Sequence, residues 1–358
     1  MNDSINSKII ITNYTSNSSY SLSQNSNLLM SSQSICNNGY NKFKKCNYHP
    51  CSQEEQATKH KQDRRAINLS SKLASCSSKE TRFLPNSKLL LDRYLIFDAL
   101  DECSFYKCID ISGKTPMLCK IMKNPCTMFL AAHFRLDGHP HVNQLIKAIS
   151  LNNCTYLFFA PNEGDLHSYV RVKKRLKESE AKLFFQQMCE IVKACHEQGI
   201  ILRDLKLRKF VFSNAEKTLL KLETLEDAVI LDDPLNDLLQ DKRGCPAYVS
   251  PEILKANTKY SGKAADIWAL GVVLYTMLVG RYPFNDSDHT NLFAKIARGY
   301  YVIPECLSPK ARCIIRAMLR RDSSERIKSI DVLHHPWLQN NVREHNGIGF
   351  DDQIVPQL

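Results

Sequence analysis

Hydrophobic and polar positions keep different rhythms in different stretches of this chain. From about Leu89, the runs Tyr94–Leu100, Phe105–Ile111 and Met117–Met122 each predict a short β-strand, with Ser112-Gly113-Lys114 as the turn between the last two. Tyr156–Ala160 predicts another strand. Beyond Gly164 the period changes to helical. Ala181, Phe184, Phe185, Met188, Val192 and Cys195 recur three and four apart, which predicts an amphipathic helix stopped at Gly199. Ala264–Val279 is apolar nearly all round, as a buried central helix is. Further helices are predicted around Thr290–Arg298 and Pro309–Leu319. Strands first and helices afterwards predict an α+β chain with a small sheet lobe and a larger helical lobe. The flanks keep neither period: residues 1–80 and Arg343–Leu358 are polar, apart from an Ile354-Val355-Pro356 cluster.

Composition separates the same regions. Residues 1–80 hold 17 Ser and 11 Asn, with 10 basic and 5 acidic side chains; the other 278 hold 38 basic and 32 acidic ones, so the net charge of +11 divides into +5 and +6. A segment so poor in core-forming residues cannot offset its conformational entropy, and a disordered arm is expected. Its basic pieces, Lys42, Lys44, Lys45, Lys59, Lys61, Arg64 and Arg65, are compatible with a nuclear address or with solvated charge in a tail. No secretory leader pattern is read at the start, and the fourteen-residue apolar run Ile267–Gly280 is short of the roughly 20 residues of a membrane span. The fourteen cysteines are scattered without a Cys-x-x-Cys pair, and Cys46, His49 and Cys51 are poorly spaced for zinc. A soluble intracellular protein is expected, bound to neither membrane nor nucleic acid.

Leu202-Arg203-Asp204-Leu205-Lys206, after the amphipathic helix and before an apolar run, resembles the His-Arg-Asp catalytic loop of protein kinases, in which the Asp receives the substrate hydroxyl's proton. Other landmarks stand in order around it. Lys120 ends Leu118-Cys119-Lys120, where the phosphate-binding Lys belongs. Ser250-Pro251-Glu252 resembles the end of the activation segment, Asp266-Ile267-Trp268 the start of the central helix, and Arg326 the arginine that pairs with that glutamate. Five landmarks in order between about Leu91 and Leu338 predict a bilobal protein-kinase-like fold.

The parts that perform phosphoryl transfer are mostly replaced. Alignment to the Gly-rich loop puts Asp101, Cys103 and Tyr106 at the three glycine positions, where side chains obstruct a triphosphate. No acidic residue between Ile121 and Leu136 can pair with Lys120; Leu130 falls near the expected place. The two magnesium-ligand positions hold Lys209 and Thr224. Losing one preorganised charge-stabilising group costs about 2.7–4 kcal/mol of transition-state stabilisation. The combined losses predict transfer slowed by at least about 10⁴-fold, though they do not add simply. Lys120 and Asp204 remain as vestiges of the catalytic set, which leaves room for a weak ATP contact at Lys120 without magnesium.

Two stretches narrow the resemblance. Leu202–Phe210, and Lys221-Leu222-Glu223-Thr224-Leu225-Glu226-Asp227-Ala228, resemble the Tribbles pseudokinases, which carry a Ser-Leu-Glu type sequence in place of Asp-Phe-Gly, here Thr224-Leu225-Glu226. Asn143-Gln144, Phe158-Phe159 and Gly164-Asp165-Leu166-His167-Ser168 are similar too. The tail residues Asp352, Gln353, Ile354, Val355 and Pro356 resemble the family's docking motif for the constitutively photomorphogenic E3 ubiquitin ligase. Pro356 favours an extended backbone at Val355, and a leash of about fourteen residues joins the motif to Trp337. His335, Pro336, Trp337 and Leu338 coincide with the family's contact for mitogen-activated protein kinase kinases, although His-Pro-Trp also closes the helical lobe of ordinary kinases.

The resemblance implies a nuclear and cytoplasmic pseudokinase adaptor with no required cofactor. It would bind a transcription factor of CCAAT/enhancer-binding type through the helical lobe and the segment Thr224–Glu252, recruit the ligase by its tail for proteasomal degradation, and regulate mitogen-activated protein kinase signalling. The expected division is a disordered arm (1–85), an N-lobe (86–160), a C-lobe (161–340) and a docking tail (341–358). Two other readings stay open: a weak, metal-independent Ser/Thr kinase using Lys120 and Asp204, and a kinase-binding inhibitor that contacts no ligase.

Overall fold

The computed structural model describes residues 10–14, 87–99 and 105–339. Two compact units emerge. One gathers the described residues up to His139 with Asn143–Asn162 and Asp286–His289; the other gathers Pro140–Val142, Glu163–Asn285 and the described residues from Thr290.

The first unit is a seven-stranded sheet. Its strands are β1 (Ile10–Tyr14), β2 (Lys88–Leu90), β3 (Tyr94–Ala99), β4 (Phe105–Asp110), β5 (Thr115–Lys123), β6 (Leu145–Leu151) and β7 (Cys154–Phe159), in the spatial order β1-β6-β7-β5-β4-β3-β2. All neighbours are antiparallel except β1, which runs parallel to β6 with Ile10 opposite Lys147. Alternation along β5 shows how the sheet uses both faces. Met117 and Cys119 pack with Tyr94, Ile96, Cys108 and Phe158. Leu118 packs on the other face with Phe105, Phe129, Leu157 and Phe159, and helix α1 (Thr127–Arg135) brings Phe129 there. The turn out of β4 is held by Asp110, whose carboxylate takes Arg93 in a two-pronged bond (2.7 and 3.0 Å) and the Ser112 N–H at 3.1 Å. Arg93 thereby holds the Asp110 carboxyl well below the usual carboxylate range.

β1 departs from the expectation of an arm without regular structure. Ile-Ile-Thr-Asn-Tyr is rich in strand-forming residues, and without it β6 would be a bare sheet edge. The rest of the arm lies outside the described residues, as do Asp101 and Cys103. Tyr106, aligned by sequence to a loop glycine, is a strand residue opposite Cys119.

The second unit is mainly helical. Helix α2 (Leu166–Lys173) is capped by Asp165, which accepts the Ser168 N–H at 2.8 Å. Helix α3 (Glu178–Glu197) buries Ala181, Phe184, Phe185, Met188, Val192 and Cys195, the stripe read from the sequence. Three short strand pairs follow: β8 (Ile200–Ile201) with β11 (Val229–Ile230), β9 (Phe210–Phe212) with β10 (Leu220–Leu222), and β12 (Leu238–Leu239) with β13 (Tyr260–Ser261). A one-turn helix α4 (Pro251–Leu254) precedes the core helix α5 (Gly262–Val279), whose length from Asp266 to Leu278 is buried throughout. Helices α6 (His289–Arg298), α7 (Pro309–Met318) and α8 (Ser329–Leu333) complete the unit. At its end Trp337 is 2 % exposed, stands edge-on to Phe185 at 5.9 Å and donates its indole N–H to Glu178 at 3.0 Å. Glu178 also accepts the Ser308 N–H at 2.7 Å, so one carboxylate ties the start of α3 to the start of α7 and to the closing Trp.

Candidate functional site

The residues at the catalytic-loop positions are held from below by one buried carboxylate. Asp266, in the second turn of α5, accepts the backbone N–H of Leu202 (2.8 Å) and of Arg203 (2.9 Å), while the ring of His196 lies 3.1 Å away. Arg203 needs that support, since its backbone takes a left-handed conformation (φ 61°) that L-residues adopt at a cost. The turn leaves the Asp204 side chain partly buried.

Asp204 meets two ammonium groups. Lys206 Nζ bonds its carboxylate at 2.6 Å, and Lys209 Nζ lies 3.8 Å from the same oxygen. Lys209 turns more closely to Asp227, at 3.2 Å. Burial alone would raise the Asp227 carboxyl, but Lys209, with Lys206 and Arg203 nearby, reverses this and holds it below its ordinary value. Burial likewise opposes the charge on Lys206, and the Asp204 carboxylate outweighs it, so the ammonium stays protonated to higher pH than usual.

The replaced activation motif lies beside this cluster. Thr224 is 5 % exposed and Leu225 is buried, whereas Glu226 faces solvent. Asp204, Lys209, Thr224, Leu225 and Asp227 line one small cavity. These donors do not fit a magnesium ion, which demands near-octahedral oxygen ligands at about 2.0–2.1 Å. A fixed ammonium reaches both carboxylates, and a buried hydroxyl stands where a third carboxylate would. Among the described residues, no group of three His, Cys, Asp or Glu is arranged to hold a metal.

Lys120 belongs to the sheet unit. It is 2 % exposed on β5, directly opposite Phe105, and its ammonium lies 5.1 Å from the centre of that ring. Leu130, at the position where a kinase places the pairing glutamate, packs partly buried against the same apolar cluster. The landmark pair of Glu252 and Arg326 is present, buried and bidentate, at 2.6 and 3.0 Å. Arg326 also donates to the carbonyls of Ala264 and Arg320.

Of the other residues singled out in the sequence, Trp337 and Leu338 are buried in packing, Pro336 is exposed and His335 is half-buried. Asp352, Gln353, Ile354, Val355 and Pro356 lie outside the described residues. Sequence reasoning missed Asp227 and Asp241. Asp227 had a faint signal, being the first acid after a replaced Asp-Phe-Gly. Asp241, which pairs with Arg203 thirty-eight positions away, had none.

A sheet lobe and a helical lobe, with an Arg-Asp loop braced by a buried aspartate and a closed Glu–Arg pair, define a protein-kinase domain; the protein kinase domain family matches residues 105–338. Within that class the chain is 46% identical to Tribbles homolog 2 of Bos taurus over 298 residues, covering 81% of this chain and 86% of the relative. It is 50% identical over 243 residues to Tribbles homolog 1 of Homo sapiens (65% of each chain), and 45% identical over 271 residues to Tribbles homolog 3 of Rattus norvegicus (74% of this chain, 77% of the relative). The chain belongs to the Tribbles family of pseudokinases.

Proposed function

We propose that this chain is an adaptor whose work does not depend on phosphoryl transfer. The observation that carries the reading is Lys209: its ammonium occupies the position of a metal-binding amide and closes on Asp227, 3.2 Å away, with Asp204 in reach. A fixed positive charge there repels a divalent cation, and a kinase site without its metal ions loses most of the stabilisation of the transferring phosphoryl group. The Asp204–Lys206 pair on its own is compatible with transfer chemistry, so a weak, metal-independent kinase is the second reading. ATP is at most a weak contact at Lys120, and magnesium has no role.

In the adaptor reading, the helical lobe and the segment Thr224–Glu252 hold a peptide of a transcription factor of CCAAT/enhancer-binding type. Residues 352–356 recruit the constitutively photomorphogenic E3 ubiquitin ligase, and joining the two raises their effective concentration. Work in nucleus and cytoplasm follows from such partners. A contact with a mitogen-activated protein kinase kinase would fall to Pro336 and His335, since Trp337 and Leu338 are taken up by packing.

Two variants test the reading together. Deleting residues 352–358 abolishes co-purification of the ligase and stabilises the substrate, while Asp204→Asn leaves substrate turnover at the wild-type rate. Ligase recovery unchanged by the deletion would sink the adaptor; loss of turnover in Asp204→Asn would establish the kinase instead.

A further inference from the structure

Kinase activation segments are commonly ordered by a phosphate, which arrives on a hydroxyl of the segment and is gripped by arginine. In this chain, Leu225–Ala247 contains no Ser, Thr or Tyr at all. The hydroxyl-bearing residues that flank this stretch, Thr224, Tyr248 and Ser250, are all buried. Phosphate therefore has no accessible place to be written.

An anion is nevertheless present where arginine can grip it. The guanidinium of Arg203 forms an ion pair with the Asp241 carboxylate, and Arg243 Nε lies 3.4 Å from the same oxygen. Two guanidiniums around one acceptor is an arrangement suited to a phosphate as well as to a carboxylate. The rest of Asp241 is fixed too, because its carbonyl accepts the Tyr260 hydroxyl at 2.8 Å. Arg203 simultaneously donates through Nε to the Asp227 carbonyl at 2.7 Å. One side chain of the catalytic loop thus holds both the beginning and the middle of the segment. A few residues on, Gly244 (φ 126°) brings its backbone so close to the loop that a Cβ there would stand 3.3 Å from the Arg203 carbonyl.

We propose that Asp241 is a resident anion that replaces a regulatory phosphate and keeps the segment from Asp227 to Cys245 docked on the Arg203 loop permanently. Arg203, in the place of a catalytic-loop arginine, is then a positioning residue for a binding surface. The consequence for regulation is that substrate capture is constitutive and is not switched by a kinase acting on this segment. The binding surface and the constitutive capture rest on the adaptor reading; the docking of the segment does not.

Hydrogen exchange on the full chain without partners tests the docking. Asp241→Asn removes the charge while keeping the shape, and amides of residues 228–245 should exchange about tenfold faster, the loss of one charge-assisted bond. Amides of α3 and α5 serve as the folding control. In Asp241→Ser, the unmodified protein should stay loose, and the same protein carrying a phosphate on the introduced hydroxyl should recover wild-type protection. An ordinary packing role would not distinguish those two forms. Wild-type exchange in Asp241→Asn, or equal exchange in the phosphorylated and unmodified Asp241→Ser proteins, overturns the proposal. Because no ligase or substrate takes part, that failure leaves the adaptor reading standing, and failed ligase recovery in turn leaves the docking result standing.

Discussion

Single residues decide the chemistry of this protein. Lys209, at the position that kinases give to a metal-binding amide, sets an ammonium 3.2 Å from Asp227 and 3.8 Å from Asp204. Its effect was half legible: the replacement could be read from the loop motif, but its closer partner, Asp227, could not, since the approach depends on how residues 223–228 fold back. His133 makes a different residue-scale case. It lies buried in α1, 4.5 Å from the Phe129 ring and 5.7 Å from Phe159, and burial pushes its imidazole down to about 3. Unfolded, the same ring titrates near 6.5. Between those values the unfolded chain binds the extra proton, so stability present above pH 6.5 is lost as the pH falls, by up to about 1.4 kcal/mol per unit from this group. Urea denaturation from pH 6.5 to 5 should show a shallower acid loss for His133→Leu than for wild type. Parallel slopes would mean that the ring is solvated.

At the scale of elements, period and punctuation carried most of the information. The α3 stripe and the all-apolar α5 fall where the sequence put them, because a helix that buries one face or all faces must display that in its spacing. Strand β6 was missed. Leu145, Ala148 and Ile149 are buried while Ile146 is exposed, so its pattern alternates poorly and gives no clean period of two. Element ends depend on local conformation, and Gly280 shows how strictly. It closes α5 with φ 81°, and a Cβ there would lie 2.1 Å from the Lys174 carbonyl. Gly138 has a similar φ of 78° with open space around it. Gly138→Ala should therefore cost only the conformational part, about 1–2 kcal/mol. Gly280→Ala should cost clearly more, because backbone must move. Equal losses in denaturant midpoints would show that the backbone at Lys174, just after α2, yields freely.

For the whole molecule, charge and connection matter more than any one contact. The +11 total belongs in part to the loop residues Arg203, Lys206 and Lys209, each of which has a carboxylate or carbonyl partner inside the helical unit. That basic loop is a structural network whose charges meet partners within the unit. If substrate and ligase are joined by tethering, the covalent link is what counts. The fourteen residues between Trp337 and Asp352 set the reach. Inserting about twenty Gly/Ser residues there should reduce substrate ubiquitination only a few-fold, as effective concentration falls gently with tether length. Supplying residues 341–358 as a separate peptide to the tail-deleted protein should restore nothing. Full activity in that mixture would show that the tail acts by switching the ligase and not by tethering. The sequence by itself determined the kinase fold, the order of its lobes along the chain and which residues stand at the metal-ligand positions, because these are written in periodicity and in residues at fixed local spacing. Tertiary structure alone decided what fills the gaps. Asp266 braces the loop from 63 positions away and Asp241 grips Arg203 from 38, and pairs so distant in the chain leave no local pattern.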